Sequence, residues 1–314
     1  MSVKVVGLGS VAMDVIVQVN ALPQVDGFSI ARSQVVLDGG SAANVMAQVS
    51  KFGVTSGHIA QIGDDDLGKH LLKGLKKFGI DTSRIVVKPE GVSLQTFIPV
   101  DPQGEKMIFV NLGNCFLDLT PDQIDPEYIS NAKVFYTDLL PPKPAIEGAR
   151  IAKEAGAKVV FNLQMGLSMM EEMDIALDDI YALLKYVDVF APCREAFFAM
   201  TKEENSEKAL RKFSSEYPIQ TILTLGSKGV MTLVGGETVQ VPAYEVDVVD
   251  TTGAGDSFIG AFTVAYFIEG LDMKRSLEVA SGAAALKCTK LGARSMPTRD
   301  EVDEFLKKAE PLKP

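Results

Sequence analysis

The most informative stretch of this chain reads Val249-Asp250-Thr251-Thr252-Gly253-Ala254-Gly255-Asp256-Ser257-Phe258. A strand-like run at 246–249 precedes Asp250, and apolar residues at helical spacing follow from Phe258 to Ile268. Gly253 to Gly255 therefore lie where a loop becomes a helix N-terminus. Because the first N–H groups of a helix are unpaired and lie at the positive end of its dipole, we predict an anion site here.

Asp256 stands in the first turn of this predicted helix. Asp is common at helix N-termini, so the residue could serve only as a cap. A carboxylate beside an anion site also suits a general base, which takes a proton from a hydroxyl while the N–H groups hold a transferring phosphoryl group. Both interpretations fit this stretch when it is considered alone.

Two stretches resemble the signatures of the ribokinase-like (PfkB) family of carbohydrate and nucleoside kinases. Residues 250–258 resemble the C-terminal signature, and Gly39-Gly40-Ser41-Ala42-Ala43-Asn44-Val45 resembles the N-terminal one. The resemblance extends from Val5 to about Leu306 and implies an ATP- and Mg²⁺-dependent kinase. Such an enzyme would phosphorylate a hydroxymethyl group of a small polyhydroxylated substrate. Asp256 would be the catalytic base, and Gly253, Ala254 and Gly255 would form the anion hole.

The same resemblance implies substrate-binding residues. Asp14 corresponds to the family's substrate-binding Asp near the end of the first strand. A carboxylate there can accept two sugar hydroxyls at once. Gly39 and Gly40 would form a hinge against the substrate, and Asn44 would bind its hydroxyls.

The nucleotide is expected on the other side of the anion hole. The turn that resembles the family's ATP-binding turn contains Thr224, Leu225, Gly226, Ser227, Lys228 and Gly229. A helix at 277–287 carries small residues, among them Ala280 and Gly282, that would form the far wall of an adenine pocket. By residue pattern alone, the turn is an ordinary hairpin turn, and the small residues equally suit a helix packed closely on a sheet.

The resemblance also implies a site for K⁺. The loop Asp250-Thr251-Thr252 must turn sharply to place Gly253 at the helix start, which directs backbone carbonyls away from the anion hole. In the resembling family, carbonyls such as those of Asp250 and Thr252 bind K⁺ together with others from a later loop, here residues 290–293. An ammonium group from Lys290 could replace the ion.

The predicted fold is α/β, with a doubly wound, mainly parallel central sheet flanked by helices and a small β-sheet lid. From Val134 onward, strand-like segments alternate with helical ones, including helices at 144–156 and 171–185. We expect the large domain to comprise 1–12, 39–91 and 112–314, and the lid to comprise 13–38 and 92–111. The predicted lid hairpin turns at 101–104. The resemblance implies a homodimer formed through this lid.

Three departures from the family pattern bear on the substrate. Cys193-Arg194-Glu195-Ala196 stands where the family has Asn-x-x-Glu, so Glu195 would act from a shifted position. Asn162 and Gln164 stand where many sugar kinases of the family have Asp-x-Asn. Ribokinases favour a Lys in the N-terminal signature, where this chain has Ser41 or Ala42. A sugar other than ribose therefore remains a candidate.

Two alternative functions remain open. A nucleoside kinase would need an aromatic shelf for a base, which Phe28, Phe97, Phe109 and Phe116 could supply if they do not form the core of the lid. A regulatory binder without turnover is the other alternative. The altered residues around Cys193 favour the binder, and the intact signature around Asp256 favours an enzyme.

Composition excludes several other classes of protein. The 314 residues carry a formal net charge of −10, which argues against nucleic acid or an anionic membrane as the main partner. The three cysteines are scattered, and no apolar run reaches membrane-spanning length, so we expect a cytoplasmic protein. Gly63 to His70 matches the P-loop pattern but has His70 where Ser or Thr should follow the Lys, and it is better interpreted as an acidic turn before a helix.

Overall fold

The computed structural model describes residues 2–103 and 105–312. Gly104, in the predicted lid turn, and residues 1, 313 and 314 of the predicted large domain lie outside this part. The strands, in chain order, are β1 (Val5–Leu8), β2 (Ala12–Val19), β3 (Ala31–Gly39), β4 (Ser56–Gly63), β5 (Ile85–Lys88), β6 (Gln95–Val100), β7 (Phe109–Asn111), β8 (Val134–Thr137), β9 (Lys158–Leu163), β10 (Val189–Pro192), β11 (Gln220–Thr224), β12 (Val230–Val234) and β13 (Glu237–Val241).

The helices pack on both faces of the larger sheet. They are α1 (Ser41–Lys51), α2 (Asp66–Lys77), α3 (Pro126–Ser130), α4 (Pro142–Glu154), α5 (Leu167–Glu172), α6 (Leu177–Leu184), α7 (Arg194–Thr201), α8 (Ser206–Glu216), α9 (Ala254–Thr263), α10 (Met273–Cys288) and α11 (Arg299–Leu306). Short 3₁₀ turns lie at Pro121–Gln123 and Gly226–Lys228, and a π-helical segment, Val264–Ile268, extends α9.

The central sheet has the strand order β13-β12-β11-β10-β9-β8-β1-β4-β5. Its pairs from β11 to β5 are parallel, and β12 and β13 add an antiparallel edge. Two apolar cores lie on opposite faces of this sheet, as expected for helices that cover both sides. The α/β, doubly wound and mainly parallel fold is therefore confirmed.

The second sheet is the predicted lid. Its four strands have the order β3-β2-β6-β7. β2 pairs with β3 and β6 with β7 in antiparallel fashion, whereas the central pair, β2 and β6, is parallel. Residues 14–19 and 34–37 lie in β2 and β3 as predicted, and the small sheet thus extends from the chain directly after β1.

One predicted helix, at 171–185, is wrong as a single element. The structure has two helices, α5 and α6, separated by a break at 173–176. Asp174 adopts a left-handed φ of 58°, which a continuing helix cannot contain. The carboxylate of Asp179 then accepts the N–H of Ala176 at 3.0 Å and starts α6 anew.

The acidic turn at 63–70 is confirmed as a helix start. Oδ1 of Asp65 accepts the N–H of Gly68 at 2.7 Å and caps α2. Among the described residues, the helices include none with the length and hydrophobicity needed to span a lipid bilayer.

Candidate active site

The N-terminus of α9 begins in a tight turn at the predicted anion site. Gly253 has φ 80° and ψ 6°, the values of the third residue of a type II turn, and the N–H of Ala254 donates to the carbonyl of Thr251 at 3.1 Å to close that turn. The N–H of Ala254 is therefore engaged within the loop, and the prediction that it belongs to the anion hole is corrected. The N–H groups of Gly253, Gly255 and Asp256 have no acceptor among residues 2–103 and 105–312, so these three remain available to an anion.

Asp256 is held by the helix that follows the lid. Its Oδ1 accepts from the hydroxyl of Ser41 at 2.5 Å, and its Oδ2 accepts from Nδ2 of Asn44 at 2.8 Å. No side chain among the described residues caps α9, so the carboxylate is not used as a helix cap. Burial raises the pKa of Asp256 above its usual value, although the two hydrogen bonds and the charge of Arg294 oppose this shift.

The residues before α1 bring Asn44 and Asp14 to the same place. A Cβ on Gly39 would lie 2.2 Å from Oδ2 of Asp14, and Gly40 has a left-handed φ of 88°. Only glycine fits these two positions without displacing the carboxylate or straining the backbone. Gly40 is also the N-cap of α1. The hydroxyl of Ser41 is thereby free to hold Asp256.

Arg294 holds Asn44 and Gly39 in place through two hydrogen bonds. Its Nε donates to Oδ1 of Asn44 at 3.0 Å, and its Nη2 donates to the carbonyl of Gly39 at 2.6 Å. Because Oδ1 of Asn44 is engaged in this way, its Nδ2 must face Asp256. Arg294 is almost fully buried, and no feature of its sequence neighbourhood identified it beforehand.

Asp14 faces the site from the lid. Its Oδ1 accepts the hydroxyl hydrogen of Thr96 at 2.6 Å across the parallel pair of β2 and β6. Burial raises the pKa of Asp14, and the hydrogen bond from Thr96 opposes that shift. The charge of Asp14 also contributes to raising the pKa of Asp256.

Polar groups at the carboxyl ends of β8 and β9 form a second part of the site. Oδ2 of Asp138 accepts the hydroxyl hydrogen of Ser10 at 2.6 Å and an amide hydrogen of Gln164 at 3.3 Å. Burial raises the pKa of Asp138 to about 6. Nδ2 of Asn162 lies 3.5 Å from the hydroxyl of Ser41, so Asn162 in β9 and Gln164 directly after it both adjoin the site.

A cavity of about 410 Å³ opens beside the N-terminus of α9. This volume suits a nucleotide base and ribose. Thr224, Gly226, Ser227 and Gly229 line it, as predicted for the turn, and Lys228 is an exposed residue of the same turn. Further lining residues come from the α9 end and from the chain before it, including Ala243, Tyr244, Val246, Thr251, Ala254, Gly255 and Phe258.

The helix wall of this cavity is formed by other residues than those predicted. Ser281, Ala284, Ala285 and Cys288 of α10 face the cavity. Ala280 is fully buried in the core, and a Cβ on Gly282 would lie 3.0 Å from Leu306 of α11. Ala280 and Gly282 therefore serve close helix packing, the alternative that their small size also suited.

A lysine contacts the loop that the resemblance implies to bind K⁺. Nζ of Lys287 donates to the carbonyl of Asp250 at 2.7 Å and lies 3.7 Å from Oδ2 of the same residue. Lys290, the residue suspected beforehand, pairs with Glu301 at 3.7 Å, and its side chain is 56% exposed. The N–H of Thr252 donates to Oδ1 of Asp250 at 2.9 Å.

The region of Cys193 and Glu195 lies at the start of α7. Cys193 is the N-cap of this helix, and its N–H donates to the carbonyl of Leu163 at 2.6 Å. Glu195 is exposed and lies against Gly166, so close that a Cβ there would come within 2.1 Å of Oε1. Within residues 2–103 and 105–312, no cluster of His, Cys, Asp and Glu could hold a metal ion by itself.

The structure thus brings together most of the predicted residues. Asp256, Asn44, Asp14 and the glycine pair meet at the α9 N-terminus, and the turn predicted to bind ATP lies on the cavity beside it. Sequence reasoning missed Thr96, Asp138, Lys287 and Arg294. These four residues lie outside the two signature stretches, and only the folded chain shows which of its many polar residues lie beside Asp256.

Comparison with known proteins agrees with this geometry. The sequence matches the pfkB family of carbohydrate kinases over residues 3–299. An ATP-dependent ribose-1-phosphate kinase from Halopiger xanaduensis is 33% identical over 307 residues, which cover 97% of this chain and 98% of the relative.

Two solved structures extend the comparison. Ribokinase from Thermotoga maritima has a TM-score of 0.84 at 28% identity, covering 98% of this chain and all (100%) of that one. Arabidopsis thaliana ribokinase complexed with ribose and ATP has a TM-score of 0.82 at 25% identity, covering 98% and 99% of the two chains. Ribokinase-family kinases use ATP and Mg²⁺. This chain belongs to the pfkB family of carbohydrate kinases and is an ATP-dependent sugar or nucleoside kinase of that family.

Proposed function

We propose that the protein transfers the γ-phosphoryl group of ATP to a hydroxymethyl group of a small sugar, with Asp256 as the general base. One observation carries this proposal. The carboxylate of Asp256 is held by Ser41 and Asn44 at the N-terminus of α9, between Asp14 and the cavity suited to a nucleotide. A base in that position can take the proton of a hydroxyl aimed at the nucleotide.

The remaining residues orient the reactants. Asp14 and Asn44 would accept from and donate to sugar hydroxyls, and Asp138 with Gln164 would bind the opposite end of the sugar. The free N–H groups of Gly253, Gly255 and Asp256 would hold the phosphate oxygens as negative charge spreads over them. Mg²⁺, when bound with ATP, would neutralise phosphate charge, and Glu195 is the exposed carboxylate that we assign to its water shell. We propose that the insertions 13–38 and 92–111 act as a lid that excludes water.

The nucleoside alternative receives less support. Phe116 is buried in the core and cannot form a shelf. Phe97 follows Thr96 directly in β6, so its side chain projects from the face opposite the one that carries Thr96 and Asp14, and Phe109 pairs with Phe97 on that same far face. Phe28 is 91% exposed in the loop between β2 and β3. The non-catalytic alternative is disfavoured because every contact that would position Asp256 is intact.

A coupled assay of ATP consumption tests this function. The panel should contain ribose, fructose, ribose 1-phosphate, a keto-deoxy sugar acid, inositol, adenosine and inosine. We expect one sugar or sugar derivative to exceed the nucleosides by at least tenfold in kcat/KM. A preference for a nucleoside would overturn the sugar assignment, and binding without turnover across the whole panel would indicate the regulatory binder.

Asp14→Ala is the matched variant for this assay. Hydrogen bonds to a charged group contribute about 1.5–3 kcal/mol each, so the variant should weaken apparent sugar affinity by about 10- to 100-fold. ATP affinity should change little, because Asp14 lies on the lid side of Asp256. Equal losses for both ligands would contradict the proposed division of the site.

We also propose that two copies associate through the lid. The far face of this sheet exposes Val36, Phe97 and Phe109 by 45%, 41% and 58%. Clustered exposed apolar side chains on a sheet often form an interface. Sedimentation at micromolar concentration should show a dimer, and Phe97→Asp should yield monomers. A monomeric wild-type protein would contradict this assignment.

We place the reaction in the cytoplasm, consistent with three free cysteines.

A further inference from the structure

Lys287 is an unusual residue in the core of this protein. Its side chain is 0% exposed, and lysine is almost never fully buried without a partner. Its partners are backbone groups for the most part: Nζ donates to the carbonyl of Asp250 at 2.7 Å and lies 3.4 Å from the carbonyl of Lys290. The carboxylate of Asp250, at 3.7 Å, supplies a nearby negative charge.

Burial lowers the pKa of Lys287, and the charge of Asp250 and the hydrogen bond to that residue oppose this shift. Lys287 lies in the last turn of α10, at the negative end of that helix dipole. The carbonyl of the next residue, Cys288, accepts the N–H groups of Val249 and Asp250 at 2.8 and 3.1 Å. The end of α10 therefore joins directly to the loop that leads into the α9 turn.

This position connects Lys287 to the anion hole. Asp250 accepts three hydrogen bonds: its carbonyl accepts from Nζ of Lys287, and its Oδ1 accepts from the N–H of Thr252. Its Oδ2 accepts from the N–H of Gly292 at 2.8 Å. Gly253 packs against Ala293, since a Cβ there would lie 2.6 Å from the carbonyl of Ala293. The ammonium thus links the two loops whose contact sets the direction of the Gly253 and Gly255 N–H groups.

We propose that the Lys287 ammonium takes the place of a monovalent cation, so that phosphoryl transfer by this protein requires no K⁺. The residues present do not fit the K⁺ site that the family resemblance implied, because Nζ already occupies the carbonyl of Asp250. Lys287 is then a positioning residue, which acts through the loop and not on the substrate. This inference rests on the proposed kinase function.

The first test uses the unmodified protein. Its kcat/KM and its affinity for a fluorescent ATP analogue should be the same, within about twofold, in K⁺, Na⁺ and tetramethylammonium chloride at equal ionic strength. Activation by K⁺ of more than severalfold would overturn the inference. If the protein turned over no substrate, the proposed function would fail, and the affinity for the ATP analogue in the three salts would still decide the question of the cation.

Two variants of Lys287 separate a cation role from simple packing. Lys287→Ala leaves space beside the two carbonyls and the carboxylate, whereas Lys287→Met fills the same space with an apolar chain. Both should lose activity by about 10- to 100-fold through misplacement of the anion hole. K⁺ should restore Lys287→Ala, with tetramethylammonium having no effect, and no salt should restore Lys287→Met.

Controls keep the outcome unambiguous. Lys290→Ala should match the wild type, because its exposed side chain pairs with Glu301 and lies away from the carbonyl of Asp250 that Lys287 contacts. Circular dichroism and the Tm of each variant show whether it folds. Equal behaviour of Lys287→Ala and Lys287→Met in every salt would mean that Lys287 acts only in packing. If neither variant folded, the comparison of salts on the wild type would remain decisive.

Discussion

Replacing Asp256 with Asn should lower kcat by about 10²- to 10⁴-fold, the usual contribution of a general base, while affinities for ATP and sugar stay nearly unchanged. The substitution preserves shape. The new amide can accept from Nδ2 of Asn44 and donate to the hydroxyl of Ser41, which can act as acceptor as well as donor. What the amide cannot do is accept a proton from the substrate.

Stability should not fall with this change. Burial raises the pKa of Asp256 in the folded protein above its unfolded value, so the ionised carboxylate costs stability at a pH above the folded pKa. A neutral amide removes that cost. We therefore expect the Tm of Asp256→Asn at pH 7 to equal or slightly exceed that of the wild type.

The pH dependence of the wild-type protein provides an independent test. Because the pKa of Asp256 is raised, its carboxylate takes up a proton at a higher pH than an ordinary Asp does. The wild-type kcat at saturating sugar should therefore fall on the acidic side, and this limb should be absent from the residual kcat of the variant. Asp272→Asn is the matched control, since Asp272 caps α10 through the N–H of Arg275 at 2.9 Å and lies outside the site. Near-normal turnover of Asp256→Asn would refute the role of base.

Some parts of the site could be predicted from the sequence because their residues lie close together along the chain. Asp256 and the glycines around it occupy consecutive positions, and the helix that follows them has clear apolar spacing. Asp14 and Asn44 could be placed because each belongs to, or stands at a set distance from, a signature. The parallel fold could be inferred because alternating strands and helices admit few topologies.

The predictions that failed share a physical cause. The spacing of apolar and small residues along the sequence does not determine how a helix is rotated about its axis in the fold. Small residues occur on several faces of α10, so Ala280 and Ser281 were indistinguishable until the helix was docked. Lys287 lies in the last turn of α10 and Lys290 lies two residues beyond its end, and only the fold shows that Lys287 is the lysine that points inward. The break at Asp174 depends on a left-handed backbone angle that an apolar pattern does not report.

Gly255→Val should lower kcat/KM for ATP by about 10²- to 10³-fold, comparable to the loss of an oxyanion-hole donor. An added Cβ at Gly255 meets no described atom within 4 Å, and the residue lines the cavity assigned to the nucleotide. The new side chain would therefore occupy the space of the phosphates and would not disturb the protein itself. Since Val has a higher helix propensity than Gly, the Tm should stay the same or rise slightly.

Gly253→Ala is the contrasting variant, two residues earlier in the same turn. Gly253 has a left-handed φ of 80°, and a Cβ there would lie 2.6 Å from the carbonyl of Ala293. A left-handed conformation costs a non-glycine residue about 1–2 kcal/mol, and the contact with Ala293 adds to this cost, so the Tm should fall together with activity. Thermal unfolding and steady-state kinetics on both variants separate the two effects. If Gly255→Val kept its activity with ATP, the phosphates would have to lie elsewhere, and the proposed use of the α9 N-terminus would be wrong.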